Sequence, residues 1–255
     1  LLVLFLGAST RLWGYARLYR KIREVDRMKD EFISIASHEL RTPITAIKGY
    51  VSMVQDGSYG PVSPRIREGL GKVVQSSDRL GQLVEDLLDV SRIEQGRLPI
   101  KISQVIPQVA AQATVLELTP MAKAKGLELT LVAPPDLPLV SADPDKLHQV
   151  LVNLVGNAIK YTPAGAVEVR LIAQAPWVAV RVKDTGIGMS VDAQAHLFEK
   201  FYRIQSDATA KIRGSGLGLW ITKQLVELMH GQIEVQSIEG TGTQVIVRLP
   251  IAPKP

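Results

Sequence analysis

Ile33, Ser37, Leu40, Ile44, Ile47, Val51 and Val54 recur at alternating steps of four and three, and Ile66, Leu70, Val73, Ser77, Leu80, Val84 and Leu87 repeat that rhythm. Such a spacing keeps one narrow line of a helix against a partner helix, whereas a helix lying on a globular core shows a wider stripe. Gly57-Ser58-Tyr59-Gly60-Pro61 separates the two seams and reads as a turn. Two long helices joined in this way form an antiparallel hairpin. A lone hairpin has too few neighbours to bury both seams, so the expected fold is an all-α hairpin completed as a homodimeric four-helix bundle. Upstream, Tyr15, Leu18, Ile22 and Val25 start another seam whose register is lost between Met28 and Phe32. That junction can transmit a twist or bend, or can simply be coiled-coil packing.

His38 sits one position off the first seam, which predicts an accessible ring on a packed helix. Glu39 beside it can hold or take one ring proton, which is what a nucleophilic histidine requires. Thr42 lies one helical turn on, so it shares a face with His38 and can meet the same substrate or water. Pro43 cannot donate to the carbonyl of Glu39, which predicts a local kink. A single histidine on an amphipathic helix is more often merely solvated; the remaining residues decide between the readings.

With 255 residues the chain accommodates two ordinary domains, and 46% hydrophobic with 22% charged residues is a globular composition. The absence of cysteine excludes disulfides, thiolate metal sites and a cysteine nucleophile, and suits a reducing compartment. Net charge is +5, with Arg11, Arg17, Arg20, Lys21 and Arg23 crowded at the start. No aromatic interleaving accompanies them, so no nucleic-acid partner is expected. Leu1 to Leu6 is too short to span a bilayer but reads as the clipped end of a membrane helix, followed by cations that mark a cytoplasmic side. The expected organisation is the end of a possible membrane segment and a coiled coil over 1–26, a helical dimerisation domain over 27–96, and a mixed strand-and-helix domain over 97–255, on the cytoplasmic side of a membrane-tethered protein.

After Gln95-Gly96-Arg97, a glycine helix stop, the pattern changes. Leu127 to Val132, Val167 to Ile172, Val178 to Val182, Gln232 to Gln236 and Gln244 to Leu249 read as strands, and Asp143 to Lys160 and Leu217 to His230 as helices. This order predicts an α+β two-layer sandwich.

Asn153, Asn157 and Lys160 share one face of their helix, where amide oxygens suit Mg2+ and the lysine suits phosphates. Asp184-Thr185-Gly186-Ile187-Gly188 follows a strand; its glycines let backbone approach a flat ligand, and the carboxylate can accept from an exocyclic amine. Gly214-Ser215-Gly216-Leu217-Gly218 precedes a helix and can cradle an anion, or serve only as a flexible cap. Between them, Phe198 to Arg203 and the polar stretch from Ile204 to Arg213 read as an anchored, mobile lid. Tyr161, Phe198 and Phe201 fit core packing as well as ligand contact. Gly240-Thr241-Gly242-Thr243 fits a plain hairpin turn. A lysine-bearing phosphate loop and a dinucleotide fingerprint are both absent.

Taken together, residues 27–250 resemble the catalytic core of two-component sensor histidine kinases. SHELRTPITAIKGY resembles the H box, NLVGNAIKYTP the N box, DTGIGM, GSGLGL and GTGT the three glycine boxes, and FEKFYR the F box. The resemblance implies a Bergerat ATP-binding fold after the hairpin. It implies that His38 is the phosphoacceptor assisted by Glu39, and that Thr42 serves hydrolysis of the phosphorylated partner. Asn157 would coordinate Mg2+ with Asn153 close to the metal, and Lys160 and Tyr161 would contact ATP. Asp184 would recognise adenine in a pocket shaped by Gly186, Ile187 and Gly188. Arg203, Gly214, Ser215, Gly216, Leu217, Gly218 and Thr243 would complete the nucleotide and lid contacts. The partner implied is a response-regulator receiver domain. Because His38 and the nucleotide lie on different domains, transfer requires a hinge-type step near Gly96. Related ATP hydrolases place a glutamate base where this chain has Asn153, and an amide cannot take a proton from water. An ATP-binding scaffold and a mainly dephosphorylating protein are the remaining alternatives.

Overall fold

The structure, a computed structural model, describes residues 35–204 and 214–253 together with positions 21, 28, 33, 209 and 212. The apolar run at Leu1 to Leu6, most of the upstream seam, and residues 205–208, 210, 211 and 213 of the lid stretch lie outside the described residues. Among the described residues no helix is long and apolar enough to cross a membrane. The chain divides into two compact units, Leu1–Arg97 and Leu98–Pro255.

The first unit is a helical hairpin. Helix α1 runs over residues 35–55 and α2 over Pro64–Glu94. Gly57 and Gly60 take φ of +86° and +102° in the connection, a region that favours glycine. Ser63 caps α2 by accepting from Ile66 N, and Pro64 occupies the first turn, where its missing N–H costs nothing. Arg41 pairs with Glu85 and Lys48 with Asp78. A step of seven up α1 is thus a step of seven down α2, as antiparallel packing requires. Each seam is split. Ser37, Ile44, Val51, Ser77 and Val84 are buried within the hairpin, whereas Leu40, Ile47, Val73 and Leu80 remain 42–45% exposed.

The second unit holds a five-stranded sheet in the order β2-β4-β5-β7-β6, formed by Glu128–Val132, Ala166–Gln174, Trp177–Asp184, Gly242–Pro250 and Gln232–Ile238. β2 and β4 are parallel and the other neighbours antiparallel. One face carries Val167, Val169, Leu171, Val178, Val180, Val182, Val247 and Leu249, each no more than 2% exposed. Helices α3 (Pro107–Ala124), α4 (Pro144–Tyr161) and α6 (Gly218–Leu228) supply the second layer. α4 buries Leu147, Val150, Leu151, Leu154, Val155, Ala158 and Ile159, a stripe of alternating three and one steps. Asp143 starts it, with Oδ1 accepting from Asp145 N and Lys146 N and Oδ2 from Lys101 N. A cap of this kind contributes about 1 kcal/mol.

The expected hairpin and two-layer sandwich are both present, with strand ends shifted by up to two residues. Helix α3, the short α5 (Val191–His196), and the β1–β3 pair (Ser103–Val105 with Val140–Ala142) were not anticipated. α3 hides its periodicity because it buries small residues, Ala111, Thr114 and Ala122 beside Leu118, and leaves Val109, Leu116 and Met121 exposed.

Candidate functional site

In the first unit, burial of Ser37 decides how His38 is presented. Ser37 lies in the hairpin seam at 1% exposure, its hydroxyl without a hydrogen-bond partner. The next residue is turned about 100° around the helix, so the His38 side chain is 75% exposed. Its Nδ1 lies 3.5 Å from Glu39 Oε1. Nε2 has no hydrogen-bond partner among the described residues. Thr42 is exposed on the following turn. Helical structure continues through Pro43.

In the second unit, β5 ends at Asp184, on the helix-covered face of the sheet and 8% exposed. Oδ1 accepts from Gly186 N at 2.8 Å and from Thr243 N at 3.2 Å. Oδ2 accepts from none of the described residues and remains for a ligand donor. Burial pushes the carboxyl above the usual range, and the two backbone donors pull it back. Close backbone contacts explain the surrounding glycines. A Cβ on Gly186 would stand 2.5 Å from the Tyr161 carbonyl oxygen. One on Gly188 would strike Ile238, and one on Gly242 would strike Asp184 itself. Ile187 N donates to Tyr161 O, and Gly240 N donates to Ile187 O, so the loop is pinned between α4 and the β6–β7 turn.

The polar face of α4 meets the start of α6. Asn157 Nδ2 donates to Asn153 Oδ1 at 3.3 Å, and Asn153 Nδ2 donates to Thr222 Oγ1 at 2.6 Å. This leaves the Asn157 carbonyl oxygen without a donor among the described residues. A Cβ on Gly218 would come 2.7 Å from Asn153 Oδ1, and one on Gly214 2.9 Å from Lys160 Nζ. Both glycines therefore keep open space beside the amides and the cation. Lys160 Nζ stands 5.1 Å from the centre of the Tyr161 ring. Burial raises the Tyr161 hydroxyl above its ordinary range, and the nearby Arg203 charge opposes it.

The fit to a magnesium nucleotide rests on this donor set. Among the described residues no cluster of three or more His, Cys, Asp or Glu could hold a metal. A hard cation here would use amide oxygen, phosphate and water, as Mg2+ does.

The structure brings Asp184, Gly186, Ile187, Gly188, Tyr161 and Thr243 together, and likewise Asn153, Asn157, Lys160, Gly214 and Gly218. Several of these position others. Thr243 supports Asp184 through its backbone, while its hydroxyl engages Ser237 Oγ at 2.8 Å. Ser215 Oγ accepts from Leu217 N, and Leu217 is a buried anchor at 3% exposure. Gly216, at φ +76°, accepts through its carbonyl from Phe201 N. Arg203 donates to Ile212 O. Phe201 is 64% exposed, which removes the core-packing reading for it. Phe198 meets the Lys223 ammonium and Trp220 the Lys200 ammonium, tying the segment to α6. Sequence reasoning missed Thr222; its place one turn after Gly218, inside the helix behind the glycine run, was the available signal.

Residues 28–96 match the family model "His Kinase A (phospho-acceptor) domain", and residues 142–253 match "Histidine kinase-, DNA gyrase B-, and HSP90-like ATPase". The circadian input-output histidine kinase CikA of Synechococcus elongatus is 37% identical over 229 residues, 87% of this chain and 30% of that protein. Sensor protein GacS of Pseudomonas syringae pv. syringae is 36% identical over 232 residues, 89% of this chain and 25% of its own length. This chain thus spans under a third of these relatives. Full-length ShkA, crystallised with AMPPNP, superposes with a TM-score of 0.71 at 30% identity over 88% of this chain and 47% of that one. Acinetobacter baumannii histidine kinase AdeS shares the fold, with a TM-score of 0.60 at 22% identity over 85% of this chain and 98% of its own. With both family domains in order and relatives above 30% identity matching most of its length, the chain belongs to the sensor histidine kinases of two-component systems.

Proposed function

We propose that this chain uses Mg-ATP to phosphorylate His38 and then passes the phosphoryl group to an aspartate of a response-regulator receiver domain. The observation that supports this most is the pairing of an exposed His38, its Nδ1 beside Glu39, with a nucleotide pocket built on Asp184 and Asn157. Glu39 orients the ring through Nδ1 so that Nε2 carries the attacking lone pair. Asp184 Oδ2 accepts from the adenine amine, and Lys160 places positive charge near the phosphates. Asn157, with Asn153 next to it, would hold Mg2+, which would supply positive charge to offset that of the phosphates. Arg203 and the segment through Gly214 to Gly218 shape the phosphate side. The Nε2–P bond forms as the bond from the γ-phosphorus to the bridging oxygen of ADP breaks. Transfer requires the two units to approach, with Gly96 in the connection as the hinge. The split seams support a homodimer, since a second hairpin would cover Leu40, Ile47, Val73 and Leu80. The placement of Thr42 beside His38 supports water-mediated dephosphorylation of the regulator. The parent protein is proposed to be membrane-anchored with these units in the cytoplasm.

Incubation with γ-labelled ATP and Mg2+ tests the reading. Acid-labile, base-stable label on the wild-type chain and none on His38→Gln is the expected outcome. Nucleotide binding without label would overturn it in favour of a scaffold. Thr42→Ala is expected to keep autophosphorylation while slowing regulator dephosphorylation; equal loss of both would remove that role.

A further inference from the structure

Among the described residues, helices α3, α4 and α6 cover one face of the second unit's sheet, and the other face is basic. Strand alternation turns Glu168, Arg170, Arg181, Lys183 and Arg248 away from the buried valines. Four of these line a cavity of about 400 Å3, with Ala166 and Gln244 at its margin. Arg170 and Arg181 are direct cross-strand partners, a like-charge pairing that disfavours a sheet when nothing offsets it. Glu168 is committed to Arg170, whose Nε and Nη2 donate to its two oxygens at 2.9 and 2.8 Å. Arg248 is paired with Glu234 at 2.9 Å. Glu168 is also the direct cross-strand neighbour of Lys183 and feels the charge of Arg181, so one carboxylate is shared by three cations and a positive excess remains, centred on β5 at Arg181 and Lys183. Arg181 Nε is buried with no hydrogen-bond acceptor, the mark of a group whose partner is not part of this chain's described residues.

We propose that this face docks an acidic segment of a partner protein, with carboxylates reaching Arg181 and Lys183. Charge selects the occupant: three cations of the lining share one carboxylate. Shape narrows it further. The cavity lies across three neighbouring strands, about 10 Å at the usual strand spacing, the width of a helix or strand laid on a sheet. A small anion would instead need walls that enclose most of its surface. Arg181 and Lys183 are two residues apart on one strand, about 6.6 Å. Carboxylates one helical turn apart stand at about 6 Å and match that interval. Covering the second face of a sheet with a helix is also the ordinary way to complete a layered fold.

Fluorescence anisotropy of a short labelled Glu-Ala peptide, titrated with the full chain at low and physiological ionic strength, tests the proposal. Saturable, salt-weakened binding is expected, about tenfold weaker for Arg181→Gln with Lys183→Gln, since each lost contact is charge-assisted. Glu168→Gln should tighten binding, a change of opposite sign. Each variant is compared at an unchanged thermal midpoint; if the double variant loses its fold, Lys183→Gln alone, at an exposed position, carries the test. No saturable binding to wild type, or equal binding by all variants, would overturn the proposal. Equal displacement of the peptide by duplex DNA or phosphatidylserine vesicles would overturn it as general polyanion attraction.

Discussion

Asn153 donates its side-chain amide to Thr222 Oγ1 at 2.6 Å, joining α4 to α6 beneath the proposed nucleotide pocket. Its oxygen accepts from Asn157, so three polar residues form one line from α6 to the proposed metal ligand. Thr222 is 2% exposed, and its hydroxyl has no solvent to replace a lost partner.

Thr222→Val, nearly the same size, leaves the Asn153 amide without its acceptor. An unsatisfied buried donor costs about 1–3 kcal/mol. Denaturant unfolding should show a loss in that range, and Mg-ATP affinity should fall because Asn157 loses its indirect anchor. Thr222→Ser should retain both. Unchanged unfolding and affinity in Thr222→Val would show that the line does not position the ligand.

Asp184→Asn separates stability from recognition. The Asp184 carboxyl titrates above its usual range because burial disfavours the charge. Its contribution to stability is therefore greatest below the unfolded carboxylate pKa and is lost as pH rises through the folded value. An amide oxygen still accepts from Gly186 N and Thr243 N without that charge. The ligand-free variant should melt at or above the wild-type temperature at pH 7, while ATP binding drops. Loss of one hydrogen bond to a charged acceptor corresponds to about 10-fold to 100-fold. A lower melting temperature together with intact ATP binding would reverse the assignment.

His196 should titrate above 6.5, because the Glu199 carboxylate accepts a hydrogen bond from it and then attracts its charge. The pair favours the folded state below the ordinary histidine pKa, and the benefit fades as pH rises through the raised value. A proton NMR titration of the ring should show the raised midpoint in wild type and a return toward the ordinary value in Glu199→Gln. An identical midpoint in both would discard the pairing.

Surface ion pairs in the hairpin should matter less than its buried seam. Arg41 and Glu85 are about half exposed at 48% and 47%. Their double-mutant cycle should give a coupling under about 1 kcal/mol. Ile44→Ala, at a position 6% exposed, should cost about 2–4 kcal/mol at fixed protein concentration. A cycle larger than the Ile44 effect would invert this ranking.

Leu40→Glu with Leu80→Glu tests the open half of each seam. Sedimentation velocity should move from dimer to monomer while far-ultraviolet circular dichroism keeps its helical signal. A persistent dimer would place the interface elsewhere.

Local chemistry was readable wherever a single element carried it. The two 4,3 seams specify the hairpin because their period depends only on helix geometry. Asn153, Asn157 and Lys160 fall on one face for the same reason, and the glycine runs announce backbone that must come close to something. α3 was illegible because it packs with alanines and leaves large apolar residues outside, the reverse of the usual signal.

What the linear pattern could not contain is which neighbour each local feature meets. The seam periodicity does not say that Ser37, Ile44 and Val51 face α2 while Leu40 and Ile47 face outward; the approach angle of α2 decides it. Thr243 reaches Asp184 across 59 residues, and Thr222 reaches Asn153 across 69. Such meetings follow from sheet register and helix docking, which are set by the packing of the whole unit. Periodicity is a short-range property of one chain segment, whereas a binding pocket is the product of several segments brought together by a shared core.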